Sequence, residues 1–357
     1  MKISIQKTIS AITLATILLI GCSPAITETP NAILTIPPSA TPSPMPTSTP
    51  EKIIPLLRGM NLGNALEAPQ PGAWGVKIQP EYFGLIHTAG FNAVRIPACF
   101  SCHASTTAPY AIDPVFMQEV DKAVNAALKN GLIVIIDVHH FGDLMQNPAR
   151  QSGRFLAIWK QLTEHYQSTG ANLYFELLNE PNQKMDAFNW NSLALDTIKL
   201  IRGISPERTI LISGVDYNSI YSINRLMLPP IGNLAVTFHY YEPFKFTHQG
   251  ASWMQGSDAW KGTTWQGTPE DKKSFIEQLD RAVEWAKSNH VQLVMTEFGS
   301  INTADAPSRQ RWTSFLTSET EKRGIGWFYW EFCAGFGVYN SEKKNWDMDM
   351  VKALIPE

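Results

Sequence analysis

The chain has 357 residues, 44% of them hydrophobic and 11% aromatic, enough to bury a large core in one big domain or two ordinary ones. Twenty-nine Lys and Arg against 32 Asp and Glu leave a net charge of −3, which excludes the basic surface expected of a nucleic-acid binder. No repeat of solenoid length recurs along it.

Residues 1–21 read as a targeting leader. Lys2 and Lys7 give a positive start, and the apolar run Ile9 to Ile20 is short for a comfortable membrane span. Its ending, Leu19-Ile20-Gly21-Cys22, resembles a bacterial lipobox. That resemblance implies cleavage before Cys22, lipid on Cys22, and a domain held outside the cytoplasm on a membrane surface. An ordinary signal peptide with an incidental cysteine is the alternative. Residues 22–52 follow as a Pro/Thr/Ser linker, with Pro37-Pro38, Thr41-Pro42, Ser43-Pro44, Pro46 and Thr49-Pro50. Such a composition buries no core and favours extended chain, a tether or a processed pro-segment.

From residue 53 to 357 the composition becomes globular, and short apolar runs alternate with amphipathic segments. The pattern predicts strands at Arg58–Leu62, Ala93–Pro97, Leu132–Asp137, Leu173–Leu178, Thr209–Ser213, Leu234–His239, Gln292–Thr296 and Gly326–Tyr329. Helices are expected between them, among others at Pro114–Asn130, Gly153–Ser168, Asp271–Asn289 and Ser308–Arg323. Pro114 and Pro307 suit helix starts, and Gly131 and Gly324 suit helix ends. Eight such units point to a single (β/α)8 barrel. A doubly wound open sheet is the runner-up, but Gly59-Met60-Asn61-Leu62-Gly63 lacks the spacing of a dinucleotide loop.

Polar residues gather where the predicted strands end. Arg95 lies in the second strand; His139 and His140 follow the third, Asn179 and Glu180 the fourth. His239 and Tyr241 close the sixth, Glu297 the seventh and Trp330 the eighth. An acidic residue ending a buried strand is costly unless it is used. Two carboxylates at one barrel mouth suit hydrolysis of a glycosidic bond, one protonated as acid and the other ionised. Trp74, Tyr241, Trp253 and Trp330 offer flat faces for sugar rings, although each also suits ordinary packing.

Asn179-Glu180-Pro181, Glu297-Phe298-Gly299, Val94-Arg95-Ile96-Pro97 and Val138-His139-His140 resemble the motifs of glycoside hydrolase family 5. Asn61 to Glu67, His239-Tyr240-Tyr241, Phe246 to Ala251 and Tyr329 to Tyr339 narrow the resemblance to bacterial endo-β-1,4-glucanases, some of which also cleave β-mannan. The resemblance implies a retaining double displacement, with Glu180 as acid/base and Glu297 as nucleophile. It implies that Asn179 holds the sugar 2-hydroxyl, that Arg95 and Tyr241 bond the nucleophile, and that His239 orients Glu180. Substrate contacts are implied at Asn64, Glu67, His103, His139, His140, His248, Trp253 and Trp330, with no metal or organic cofactor required. The polymer and the membrane, through its anchor, are the expected partners, and the catalytic domain is expected to be monomeric. The two carboxyl groups should then stand about 5–5.5 Å apart.

One segment departs from the family pattern. Phe100 stands where relatives usually carry tryptophan, within Cys99-Phe100-Ser101-Cys102-His103. By itself that run reads as a c-type haem attachment sequence, and a zinc site or a local disulfide or thiol pair are the other readings. Cys333 matches a family cysteine and is expected to be small and buried, and Asp137 to be structural. A surface sugar-binding protein that kept the barrel but lost catalysis is the alternative function.

Overall fold

The computed structural model describes residues 54–356. The leader, Cys22 and the whole linker lie outside the described residues.

Eight parallel strands close into a barrel in chain order: β1 (Arg58–Asn61), β2 (Ala93–Ala98), β3 (Ile133–Val138), β4 (Leu173–Glu176), β5 (Ile210–Ser213), β6 (Leu234–Tyr240), β7 (Gln292–Phe298) and β8 (Gly326–Tyr329). β1 pairs with both β2 and β8, so the sheet has no free edge. The predicted strands are present, and β4 ends two residues early, at Glu176. There the backbone leaves its ladder: Asn179 N–H donates to Val138 O at 3.0 Å, and Ser213 Oγ takes the Leu178 carbonyl.

Long helices on the outside run Pro114–Lys129, Pro148–His165, Ala187–Ile204, Pro269–Ser288 and Ala306–Glu321. Asp113, Asp186, Thr268 and Asp305 cap four of them with side-chain oxygens. The second begins five residues before Gly153, because Pro148 occupies its first turn and fixes φ there.

Side chains alternate across each strand. Val94, Ile96, Val134, Ile136 and Phe175 face outward into the main core beneath the helices. Ala93, Ile135, Tyr174, Leu211, Ala235, Val294 and Phe328 face inward with Leu57 and fill the lower barrel. Gly59 is required for that filling, since a Cβ there would sit 2.1 Å from Phe328 Cδ1. One step higher, the same alternation aims Asn61, Arg95, Asp137, Glu176, Thr237 and Thr296 inward, all fully buried. The barrel therefore has an apolar floor and a polar storey directly beneath its mouth.

Candidate active site

Arg95 is the hub of the polar storey. It donates from Nε to Glu176 Oε2 at 2.5 Å and from Nη1 to Asn61 Oδ1 at 3.1 Å and Glu297 Oε1 at 2.7 Å. Nη2 donates to Asp137 Oδ2 at 2.7 Å and to Asn179 Oδ1 at 2.8 Å. All five contacts radiate from one fully buried guanidinium, whose rigid fork suits several planar acceptors at once. Thr237 and Thr296 hydroxyls each donate to Glu176 Oε1 at 3.2 Å, which satisfies its second oxygen.

Glu297 reaches this hub because β7 carries a bulge. Phe238 pairs with Met295, yet the next residue, His239, pairs with Glu297, so one extra residue sits in β7. Thr296 and Glu297 can then both face inward, which strict alternation forbids. Tyr241 OH donates to Glu297 Oε2 at 3.0 Å, so each carboxylate oxygen has a donor.

Glu180 stands at the rim with a left-handed backbone, φ 48°, immediately before Pro181. His239 Nδ1 lies 2.9 Å from its Oε1 and 3.5 Å from Glu297 Oε2, bridging the pair. Oxygens of Glu180 and Glu297 and the His239 nitrogen all fall within 4.8 Å of one another. Among the described residues these three are the group with the spacing to hold a cation. A cation there would occupy the oxygens that hydrolysis needs.

The two carboxyl groups differ in environment. Burial raises Glu180 to about 7, with help from Asp137 and Glu176 and against Arg95. Burial also raises Glu297, but His239 and Arg95 pull it back toward the ionised form. Glu180 is 30% exposed at the side chain and Glu297 only 7%. The proton belongs on the rim residue, and the charge on the one held by the guanidinium. Burial lowers His239 and holds Tyr241 well above its ordinary range, next to Glu297, so Tyr241 remains a donor.

Around this pair, Trp330 lies parallel to His139 at 5.8 Å, and His139 meets His140 edge-on at 4.7 Å. His139 Nδ1 is fixed by Asp137 Oδ2 at 2.8 Å, so Asp137 serves both Arg95 and the histidine. His140 touches the exposed Trp74 edge-on at 5.7 Å. The Gly63-Asn64 turn runs close against Trp330: a Cβ on Gly63 would approach its ring to 2.9 Å. His248 stacks on Phe244 at 4.0 Å and meets Tyr241 edge-on, and the exposed Trp253 tilts over Phe336 at 6.2 Å.

Several expectations need correction. The local-disulfide reading of Cys99 and Cys102 holds, Cα–Cα 5.3 Å, and thioether attachment of haem needs both thiols free. The haem reading fails, and a zinc site on those sulfurs fails with it. His103 stacks on Phe116 of the helix Pro114–Lys129, 3.9 Å away and nearly parallel. Its ring is engaged in packing against that helix. Phe100 is fully buried and meets Phe116 edge-on at 5.7 Å, so it joins the core and replaces no sugar platform. Glu67 is 1% exposed, and its carboxylate accepts the N–H groups of Asn64 and Ala65. It therefore shapes the Asn64 turn from below, with burial raising it to about 8. Cys333 is a half-buried free thiol rather than a core residue, and burial raises it to about 12.

Glu176 and Glu331 were missed in the sequence. Glu331, fully buried, accepts N–H bonds from Cys333, Ala334 and Phe336 and so folds the loop that follows Trp330. The signal for Glu176 was available: a charge inside Tyr174-Phe175-Glu176-Leu177 must find a partner. Glu331, two residues beyond a strand, gave no such signal.

The model of the cellulase family, glycosyl hydrolase family 5, matches residues 50–335. Endoglucanase H of Acetivibrio thermocellus is 31% identical over 322 residues, covering 87% of this chain. The chain spans about a third of the length of the first curated relatives it matches, 34% and 36%. Among solved structures, Thermotoga maritima Cel5A in complex with cellobiose is 46% identical, with TM-score 0.82 over 84% of this chain and 97% of that one. The same enzyme in complex with mannotriose is 45% identical, again with TM-score 0.82 over 84% and 97% of the two chains.

Proposed function

The chain belongs to glycosyl hydrolase family 5, and from that premise we propose that it is a retaining endo-β-1,4-glucanase with Glu180 as acid/base and Glu297 as nucleophile. The observation that carries this reading is the carboxyl pair, with donor atoms within 4.8 Å and opposite environments. An inverting pair would leave room for a water, with its carboxyl groups about 6.5–9.5 Å apart.

In the first step Glu297 attacks the anomeric carbon while Glu180 delivers its proton to the leaving oxygen. The glycosyl-enzyme ester forms, the glycosidic bond breaks, and Glu180 is left ionised. In the second step Glu180 removes a proton from water, which attacks the same carbon and releases Glu297. Arg95 and Tyr241 keep Glu297 aimed and ionised, and His239 holds Glu180 between its two tasks. Asn179, fixed by Arg95 beside Glu180, takes the sugar 2-hydroxyl. Trp330, backed by His139, forms the stacking face on the side away from Glu180. Asn64, His140, His248 and Trp253 line the more distant subsites.

Cleavage of β-mannan or glucomannan is a second activity of the same site, supported by the likeness to an enzyme that has been seen with mannotriose. A side-by-side assay on carboxymethyl-cellulose, mixed-linkage glucan and glucomannan, with the anomer of the fresh product followed by NMR, tests both readings. Release of reducing ends with retained configuration is expected. Inversion would undo the nucleophile assignment, and a protein that binds oligosaccharides without cutting them would be the sugar-binding alternative. Export and lipid attachment at Cys22 are proposed from the leader sequence alone. Mass spectrometry of the mature N-terminus, with and without a Cys22→Ser change, is the check.

A further inference from the structure

The disulfide that ended the haem reading lies against the substrate-facing histidine pair. Cys99 directly follows β2 and is fully buried, and its Sγ lies 3.4 Å from the His140 carbonyl oxygen. Ser101, one of the two residues between the cysteines, donates its hydroxyl to that same carbonyl. The backbone of the turn is closed by Cys102 N–H on Cys99 O at 2.9 Å and anchored by Cys99 N–H on Leu66 O at 3.0 Å. Arg154 grips it from outside, with Nη2 donating to Ser101 O and Ala104 O at 2.7 Å each. The bridge sulfur and the serine therefore meet at the carbonyl of one residue, His140, while Arg154 holds the Cys99–Cys102 turn from behind.

His140 is an exposed member of the wall that runs from Trp330 through His139 to Trp74. Among the described residues its ring makes edge-on contacts with His139 and Trp74 but no hydrogen bond, so the anchoring of its backbone bears on its position. The following residues Gly142–Gln146 form a single short helical turn, which gives the carbonyl little rigidity of its own.

We propose that the Cys99–Cys102 bridge, with Ser101, is a positioning element for substrate binding: it fixes the His140 carbonyl and so holds the His140–Trp74 edge of the cleft in register with Trp330. The inference rests on the glycanase reading given above. None of the three residues touches Glu180 or Glu297, so the bridge acts on affinity for long substrates and leaves the bond-breaking step alone. Cys102 is exposed, which gives a reductant access to one sulfur of the bridge. Reduction adds two electrons and two protons to the S–S bond to give two thiols. With a water-soluble phosphine as reductant, the phosphine becomes its oxide and takes its oxygen from water.

The test compares oxidised protein, phosphine-reduced protein and a Cys99→Ser/Cys102→Ser variant on cellotriosides and cellohexaosides with a chromogenic leaving group. Loss of one hydrogen-bond-sized restraint corresponds to about a fivefold rise in KM. Reduction and the double variant should each raise KM for the long substrate by that factor, with kcat unchanged within twofold and little change for the short one. Reoxidation should restore the wild type, and the phosphine should do nothing further to the double variant. Ser101→Ala in the oxidised protein should shift KM in the same direction. Equal KM values for oxidised and reduced protein would overturn the proposal, as would a parallel fall in kcat for both substrates. If the double variant fails to fold, reduction of the folded wild type still decides the matter. Absence of activity in the oxidised protein would instead sink the glycanase reading.

Discussion

Replacing Arg95 by lysine keeps one positive charge in the barrel and removes the fork. The wild-type guanidinium makes five N–H···O contacts, to Glu176, Asn61, Glu297, Asp137 and Asn179. An ammonium has three donors at a single point, so at least two of these partners lose their bond. Each lost bond to a charged group costs about 1.5–3 kcal/mol, which gives about 3–6 kcal/mol for two. The cost of breaking a buried ion pair, about 3–5 kcal/mol, falls in the same interval. Urea unfolding followed by the fluorescence of the 11 tryptophans measures the loss directly. A Glu176→Gln change made in the Arg95→Lys background should cost less than it does in the wild type, because one carboxylate fewer is then stranded. Activity should report the same loss. Where the lost bond is the one to Glu297, its carboxyl rises further, and the acid limb of kcat/KM moves to higher pH. A stability loss below about 1 kcal/mol, or two strictly additive changes, would refute the picture of Arg95 as a saturated hub.

The remaining predictions concern single groups. Glu297→Gln should abolish release of reducing sugar, whereas Glu180→Ala should retain activity on substrates whose leaving group needs no protonation, against a loss of about 10²–10⁴-fold on polymer. Because the protonated form of Glu180 is the active one and burial raises it to about 7, kcat/KM should fall as pH rises through that value; a basic limb elsewhere would reassign the acid. His248 is held neutral by burial, down to about 4. The unfolded chain binds its proton first as pH drops below about 6.5, so stability is full above that value and is lost between about 6.5 and 4, by roughly 3 kcal/mol. Scanning calorimetry of His248→Phe should show a flatter acid limb. Gly59→Ala should destabilise by about 1–3 kcal/mol through overpacking against Phe328, and Phe328→Leu in the same chain should recover part of it.

The strands were legible because buried parallel strands read as apolar runs, and because proline and glycine punctuate the helices between them. The carboxylates Glu180 and Glu297 were legible for a related reason: each is an acidic residue standing where an apolar run gives out. What stayed hidden is spatial. Nothing in Met295-Thr296-Glu297 announces that two neighbours face the same way, since the bulge is defined by pairing with Phe238 and His239 across the sheet. Glu67 and His103 look like cleft residues in a motif, but the local backbone spends one on the Asn64 turn and the other on Phe116. Glu176 was overlooked within the apolar run that drew attention to Glu180.

The bulge also bears on how such a site can be lost. A β7 that kept all its residues but paired with β6 without the bulge, Thr296 still facing in, would keep its sheet, its core and every motif letter. Strict alternation would return, and Glu297 would turn from the mouth toward the helices. Inert relatives of this chain should therefore be sought by the register of β7 on β6, and not only by looking for a missing acid. The reading frame of the sheet, as much as its alphabet, sets Glu297 at the mouth of this barrel.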